Sequence, residues 1–142
     1  MTKWKISDSD FGFIEDEVRL YPLYKNRLEQ AINDIYYSTP SYENTGGGKS
    51  NLPSRPVENK VFSLLHDARI VKLRLYVESV EEAFHELDKE KQDFIDLLYW
   101  KNRSSLQAVC LEFCISVSTA NRWRKAFIMR VGLLTGDKRD IG

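Results

Sequence analysis

Long hydrophobic runs are missing from this chain. No stretch approaches the ~20 consecutive apolar residues that a membrane helix requires, and no membrane partner is expected. The opening residues, Met1-Thr2-Lys3-Trp4-Lys5-Ile6-Ser7-Asp8, lack the apolar core of a signal peptide, so the expected location is cytoplasmic. Cysteine and histidine are scarce, with two of each. Cys110 and Cys114 lie four apart in one predicted helix and read as packed thiols, while His66 and His85 are too distant along the chain to complete a zinc pattern. Neither a metal nor a cofactor is expected. Net charge is absent too: 21 basic residues balance 21 acidic ones. Any attraction to a polyanion must therefore come from local charge.

Chemistry-bearing constellations are also thin. Glu15, Asp16 and Glu17 look like paired carboxylates, but nothing nearby in sequence raises a pKa or supplies a partner acid, so they read as a solvated helix start. Gly48-Lys49-Ser50 resembles the end of a phosphate-binding loop. The first glycine of that motif would fall at position 43, which is Glu43, and Leu52-Pro53 follows where a helix is needed. No enzymatic activity is expected.

What is present is helical periodicity over 142 residues, 42% of them hydrophobic, enough for a compact core. An all-α fold is expected. Residues 1–37 read as an N-terminal helical hairpin divided at Tyr21-Pro22, with Ile14, Val18 and Tyr21 marking the apolar side of the first helix and Tyr24, Leu28, Ala31, Ile32 and Ile35 that of the second. Pro22 suits the first turn of the second helix, where its missing amide costs nothing. Residues 38–55 form a Gly/Ser/Pro-rich loop. Residues 56–87 read as one long central helix, striped by Val57, Val61, Leu64, Leu65, Ala68, Val71 and Leu75. Its length exceeds the usual globular helix, so it either spans the molecule or meets a second copy in a homodimer through this stripe. Residues 88–136 form the last domain, and 137–142 a polar tail. There Asp88 caps a helix buried through Phe94, Ile95, Leu97, Leu98 and Trp100.

This last domain carries the motif around which the chain is organised, a helix-turn-helix over residues 105–127. Leu106, Val109, Cys110 and Phe113 stripe a short first helix, Ile115 closes the turn, and Ser116 caps a second helix running to about Leu134. Thr119 is not the Glu or Gln of a capping box. Ala120, Trp123, Phe127 and Val131 face inward, which turns Ser118, Thr119, Asn121, Arg122 and Lys125 outward. Those side chains are of the types that bond to base edges, whereas Lys101, Arg103, Arg124 and Arg130 are candidates to hold phosphates. From 101 to 130 six basic residues stand against Glu112 alone. The preceding stretch is the reverse: eight acids between Glu78 and Asp96 face only Lys89 and Lys91. A solvated helix face accounts for those acids, and a protein partner such as host RNA polymerase is the alternative.

Taken in order, Tyr21-Pro22-Leu23-Tyr24, Gly46-Gly47-Gly48-Lys49-Ser50 before Pro56-Val57-Glu58, Leu87-Asp88-Lys89-Glu90-Lys91, Leu98-Tyr99-Trp100 and the terminal motif resemble phage transcriptional activators of the RinA/ArpU type, known from phages of Gram-positive bacteria. The terminal part is also similar to the promoter-reading region of bacterial sigma factors. Cys114 departs from the glycine usual at the turn. The resemblance implies activation of late phage genes for packaging and virion assembly by binding double-stranded promoter DNA in the nucleoid of the bacterial host. Two other functions fit the same pattern: a small terminase subunit that recognises a packaging site as a ring, and a helical module whose basic helix binds an acidic protein.

Overall fold

Five helices start on one short polar side chain: Ser7, Asp67, Asp88, Ser105 and Ser116. The computed structural model describes residues 7–37, 56–101 and 105–136, with side chains from residue 59 onward in the second span. All regular structure among these residues is helical, so the fold is all-α. Ser7 accepts from the Asp10 amide (3.1 Å) and starts α1, Asp8–Arg19. Asp8 and Asp10 in the first turn and Arg19 in the last oppose the helix dipole. The Leu20 amide closes α1 on the Glu17 carbonyl (3.0 Å), and α2 follows as Tyr21–Tyr36 with Pro22 in its first turn.

The expected long helix divides into α3, Pro56–His66, and α4, Ala68–His85. The division falls at Asp67, whose Oδ1 accepts from the amides of Arg69 (2.9 Å) and Ile70 (3.4 Å). An aspartate at the head of a turn satisfies orphan amides and restarts the helix, a competition that apolar periodicity does not register. Asp88 caps α5, Lys89–Ile95, through the Lys91 amide (3.0 Å). The chain continues as π-helical turns over Asp96–Lys101. Then come α6, Leu106–Phe113, and α7, Val117–Thr135.

Two compact units result: residues 1–22 with 76–142, and residues 23–75. Of the expected pair of helices over 1–37, α1 belongs to the first unit, where it packs on α7 and on the π-helical turns, and α2 from Leu23 onward belongs to the second. In the first unit the core joins Ile14 and Val18 of α1, Val80 and Ala83 of α4, Phe94, Ile95 and Tyr99, Val109 and Cys110 of α6, and Ala120, Phe127, Ile128 and Val131 of α7. Fully burying each larger apolar side chain contributes about 1.5–3 kcal/mol. Aromatic edges tie the layers: Phe94 meets Trp123 at 5.4 Å and Phe113 at 6.0 Å between ring centroids, both nearly perpendicular. Trp123 is therefore a core element, as its stripe predicts. In the expected buried set of the preceding helix, Phe94 and Ile95 are fully buried, but Leu97, Leu98 and Trp100 are only partly so, and Tyr99 is the wholly buried residue. The wider π-helical turn shifts the register past Ile95.

In the second unit Leu28, Ala31 and Ile70 are buried. Most of the expected stripe is not: Val61, Leu65, Val71 and Leu75 are exposed, as is Phe62. Ile70, outside that stripe, takes the inward position. Lys60 Nζ donates to the Tyr36 carbonyl (2.7 Å), and an Arg74 guanidinium N–H to the Leu64 carbonyl (3.3 Å). No helix among the described residues is long and apolar enough to cross a membrane, and no cluster of three or more metal-binding side chains occurs among them. The 38–55 loop, the phosphate-loop-like Gly46 to Ser50 within it and the 137–142 tail lie outside the described residues.

The α6–α7 connection contains the sharpest backbone feature. Cys114 takes the left-handed conformation (φ 55, ψ 45), the Ile115 amide reaches back to the Cys110 carbonyl (3.1 Å) and the Cys114 amide to Leu111 (3.3 Å). This is a Schellman closure with an L-residue where glycine is favoured. α7 ends on Gly136 at φ 77, where no such cost arises. Cys114→Gly should raise the unfolding free energy by about 0.5–1 kcal/mol, because relief of left-handed strain exceeds the extra freedom that glycine gives the unfolded chain. Urea titration checks it, and a lower midpoint in the variant would show that the turn is not strained.

Candidate nucleic-acid interface

α7 has two faces, separated by the spacing of its apolar residues. Ala120, Phe127, Ile128, Val131 and Gly132 are buried, while Ser118, Arg122 and Lys125, at intervals of four and three, are exposed. Ser116 caps the helix, accepting from the Thr119 amide (3.0 Å) and donating to Thr119 Oγ1 (3.0 Å). Thr119 and Asn121 sit half-buried at the edges of the outer face. Arg122 Nη2 reaches Thr119 Oγ1 at 3.4 Å, so the side chain lies back along the first turn. Lys101 is exposed at the end of the π-helical turns, and Arg103 lies outside the described residues. Among the described residues Lys101, Arg122 and Lys125 enter no ion pair.

The other two basic candidates point elsewhere. Arg124 turns into the protein: its Nε and Nη2 donate to the two carboxylate oxygens of Glu15 (2.7 and 3.2 Å) and its Nη1 to Asn121 Oδ1 (2.9 Å). Arg130 forks onto Glu86, with two bonds of 2.8 Å. Neither is available to a phosphate without breaking its pair. The acidic stretch is likewise partly consumed within the fold. Glu81 accepts from the Tyr21 hydroxyl (2.5 Å), Asp88 caps α5 and Asp93 pairs with Lys89 (2.9 Å), whereas Glu78 and Glu82 are exposed.

Glu15 is therefore no member of a solvated helix start. It is 7% exposed and takes the Tyr99 hydroxyl (2.5 Å) as well as Arg124, with Arg19 at 3.9 Å. Burial by itself raises its carboxyl, but the hydrogen bonds from Arg124 and Tyr99, with the charges of Arg124 and Arg19, outweigh that and hold it below the ordinary value of 4.5. Burial, then the bond to Glu15, pushes the Tyr99 phenol up; the bond to Glu15 raises Arg124. Trp100 Nε1 donates to the Val18 carbonyl (2.8 Å), a second polar tie between the π-helical turns and α1. A cavity of about 480 Å³ opens beside the cluster, its wall shared with Ser105 and Leu106 at the start of α6.

A signal for this cluster does exist in the sequence. Glu15 shares the α1 face of Phe11, Ile14 and Val18, and Arg124 lies four residues after Ala120 and four before Ile128. A charge on an apolar stripe calls for a buried partner of opposite sign.

These features define a small all-α protein in which two helices joined by a three-residue turn are braced from behind by the N-terminal helix. The chain belongs to the family described as "Protein of unknown function (DUF722)", whose model matches residues 23–131 and so begins past α1. It is also similar to the "Transcriptional activator rinA" of Staphylococcus phage phi11, 27% identical over 136 residues that cover 95% of this chain and 96% of that one. No solved structure matches it.

Because Glu15 is held below its unfolded value, its contribution to stability is complete above the ordinary carboxyl range and is lost as pH falls through the folded value. Glu15→Gln should cost about 2–3 kcal/mol at neutral pH. The difference between parent and variant should shrink as acid protonates Glu15. Chemical denaturation at a series of pH values below neutral checks this, and a constant difference throughout would show that the carboxylate charge is not what stabilises the cluster.

Proposed function

We propose that this protein is a sequence-specific DNA-binding transcriptional activator of phage late genes, those for packaging and morphogenesis, and that α6 and α7 act as its helix-turn-helix with α7 in the major groove. The observation that carries the proposal is the division of α7 into a buried apolar face and an outer face of Ser118, Arg122 and Lys125 edged by Thr119 and Asn121. Similarity to a phage transcriptional activator over nearly the whole chain supports the same reading.

In this reading Ser118, Asn121, Arg122 and Lys125 meet base edges, the residues nearest the start of α7 reaching deepest. Thr119 contributes chiefly through the cap it shares with Ser116. Lys101 and Arg103 hold phosphates; Arg124 is reassigned to bracing α7, and Arg130 contributes only when its pair with Glu86 opens. Non-enzymatic action in the host cytoplasm follows from the same role. The exposed apolar residues Val61, Phe62, Leu65, Val71 and Leu75 of the second unit are the surface on which a second copy pairs, setting two reading helices on one site.

Titration of the purified protein against the late promoter region of its own phage, with random DNA as competitor, tests the role. Asn121→Ala and Arg122→Ala should lose roughly 1–3 kcal/mol on the proper site and little on random DNA. Lys101→Ala should weaken binding to every sequence and flatten the salt dependence by about one unit of slope. Glu86→Gln should act in the opposite sense, freeing Arg130 and steepening that slope. Sedimentation should show a dimer at the concentrations used. Binding to the promoter no tighter than to random DNA would overturn the proposal.

A further inference from the structure

The side chain that controls the edge of the reading face is 106 positions away from it in sequence. We infer that Glu15 is a specificity-determining positioning residue: acting through Arg124, it fixes which way the Asn121 carboxamide points and so which base Asn121 accepts. The inference rests on the DNA-reading role given above to α7, and it concerns a helix that precedes the segment matched by the family model.

The chain of contacts is short and directional. An arginine guanidinium is planar, carries five N–H donors and has no acceptor. In Arg124 the Nε and Nη2 edge is committed to both oxygens of Glu15, a forked arrangement that sets the plane of the group as well as its position. The Tyr99 hydroxyl holds Glu15 from the other side, and the Phe11 ring lies 5.2 Å from Arg124 Cζ, so neither partner can swing away freely. With that edge fixed in a planar group, the remaining nitrogen is fixed as well: Nη1 faces the preceding turn of α7 and meets Asn121 at 2.9 Å.

Only one orientation of Asn121 satisfies that donor. Its oxygen must face Nη1, because the alternative flip sets N–H against N–H. Turning the oxygen toward the protein turns the NH2 group away from it. A free asparagine at this position would offer oxygen and nitrogen side by side, the pattern that pairs with adenine N6 and N7. Held as it is, Asn121 presents donors to the groove, and donors complement the N7 and O6 acceptors of guanine. Ser118, Arg122 and Lys125 have no such tie to Glu15, so the effect is confined to one base pair.

The experiment measures the parent, Glu15→Gln and Arg124→Lys against promoter sites carrying each of the four base pairs at the position where Asn121→Ala loses discrimination. The parent should prefer guanine there, and both variants should lose about tenfold of that preference, since each removes the fork that orients Nη1. Discrimination at the Arg122 position should be unchanged. A merely structural Glu15 predicts something else: weaker binding to all sites alike, with every preference kept. In the DNA-free protein, the Asn121 side-chain amide should be as ordered as the backbone by 15N relaxation in the parent and mobile in both variants, which holds the inference to account even where a variant folds poorly. A parent that reads sequence, with the same preference at that position in both variants, overturns the inference alone. A parent that binds all DNA alike defeats the DNA-reading role on which it stands.

Discussion

A carboxylate on the first helix determines how the last one is held. Glu15 reaches Arg124 of α7 by two hydrogen bonds and accepts a third from Tyr99 of the π-helical turns, so three elements far apart in sequence meet at one buried charge. A lone buried carboxylate is costly, and a forked guanidinium with a phenol offsets that cost only when all three backbones are in register. The apolar core around it, from Ile14 and Val18 to Phe127 and Val131, is permissive about small rotations of a helix. The polar cluster is not. It converts a hydrophobic bundle into a platform that holds α7 at one angle about its own axis.

The same protein handles its positive charge in two ways. Arg124 and Arg130 look like phosphate contacts when counted along the chain, yet each is neutralised by a carboxylate from elsewhere in the unit, Glu15 and Glu86. Arg122, Lys125 and Lys101 stay at the surface without ion pairs among the described residues. The field of the proposed reading face is therefore smaller than the local excess of basic residues implies, and under the proposed role counterion release contributes less than that excess suggests.

Periodicity made most of the helices legible, because a stripe such as Ala120, Trp123, Phe127 and Val131 has no other economical explanation. Single polar residues carried the caps Asp88 and Ser116. The misses have a common origin, in long-range or competing polar contacts. Asp67 interrupts α3 and α4 through two amide bonds that an apolar stripe does not reveal. The wide turn at Asp96–Lys101 buries Tyr99 ahead of its neighbours. Glu15 was masked by Asp16 and Glu17, which share its charge but not its face. The exposure of Ser118, Arg122 and Lys125 was readable from the inward stripe of α7, the half-burial of Thr119 and Asn121 was not, and the inward commitment of Arg124 depends on a partner 109 positions away.

The central claim, that α7 reads bases from the major groove, is tested most directly by methylation interference on a bound promoter fragment. Methyl groups on guanine N7 lie in the major groove and those on adenine N3 in the minor groove, so one reaction probes both sides of the duplex. N7 methylation at a few clustered guanines should exclude fragments from the complex while N3 methylation is tolerated. Interference confined to adenine N3 would contradict it.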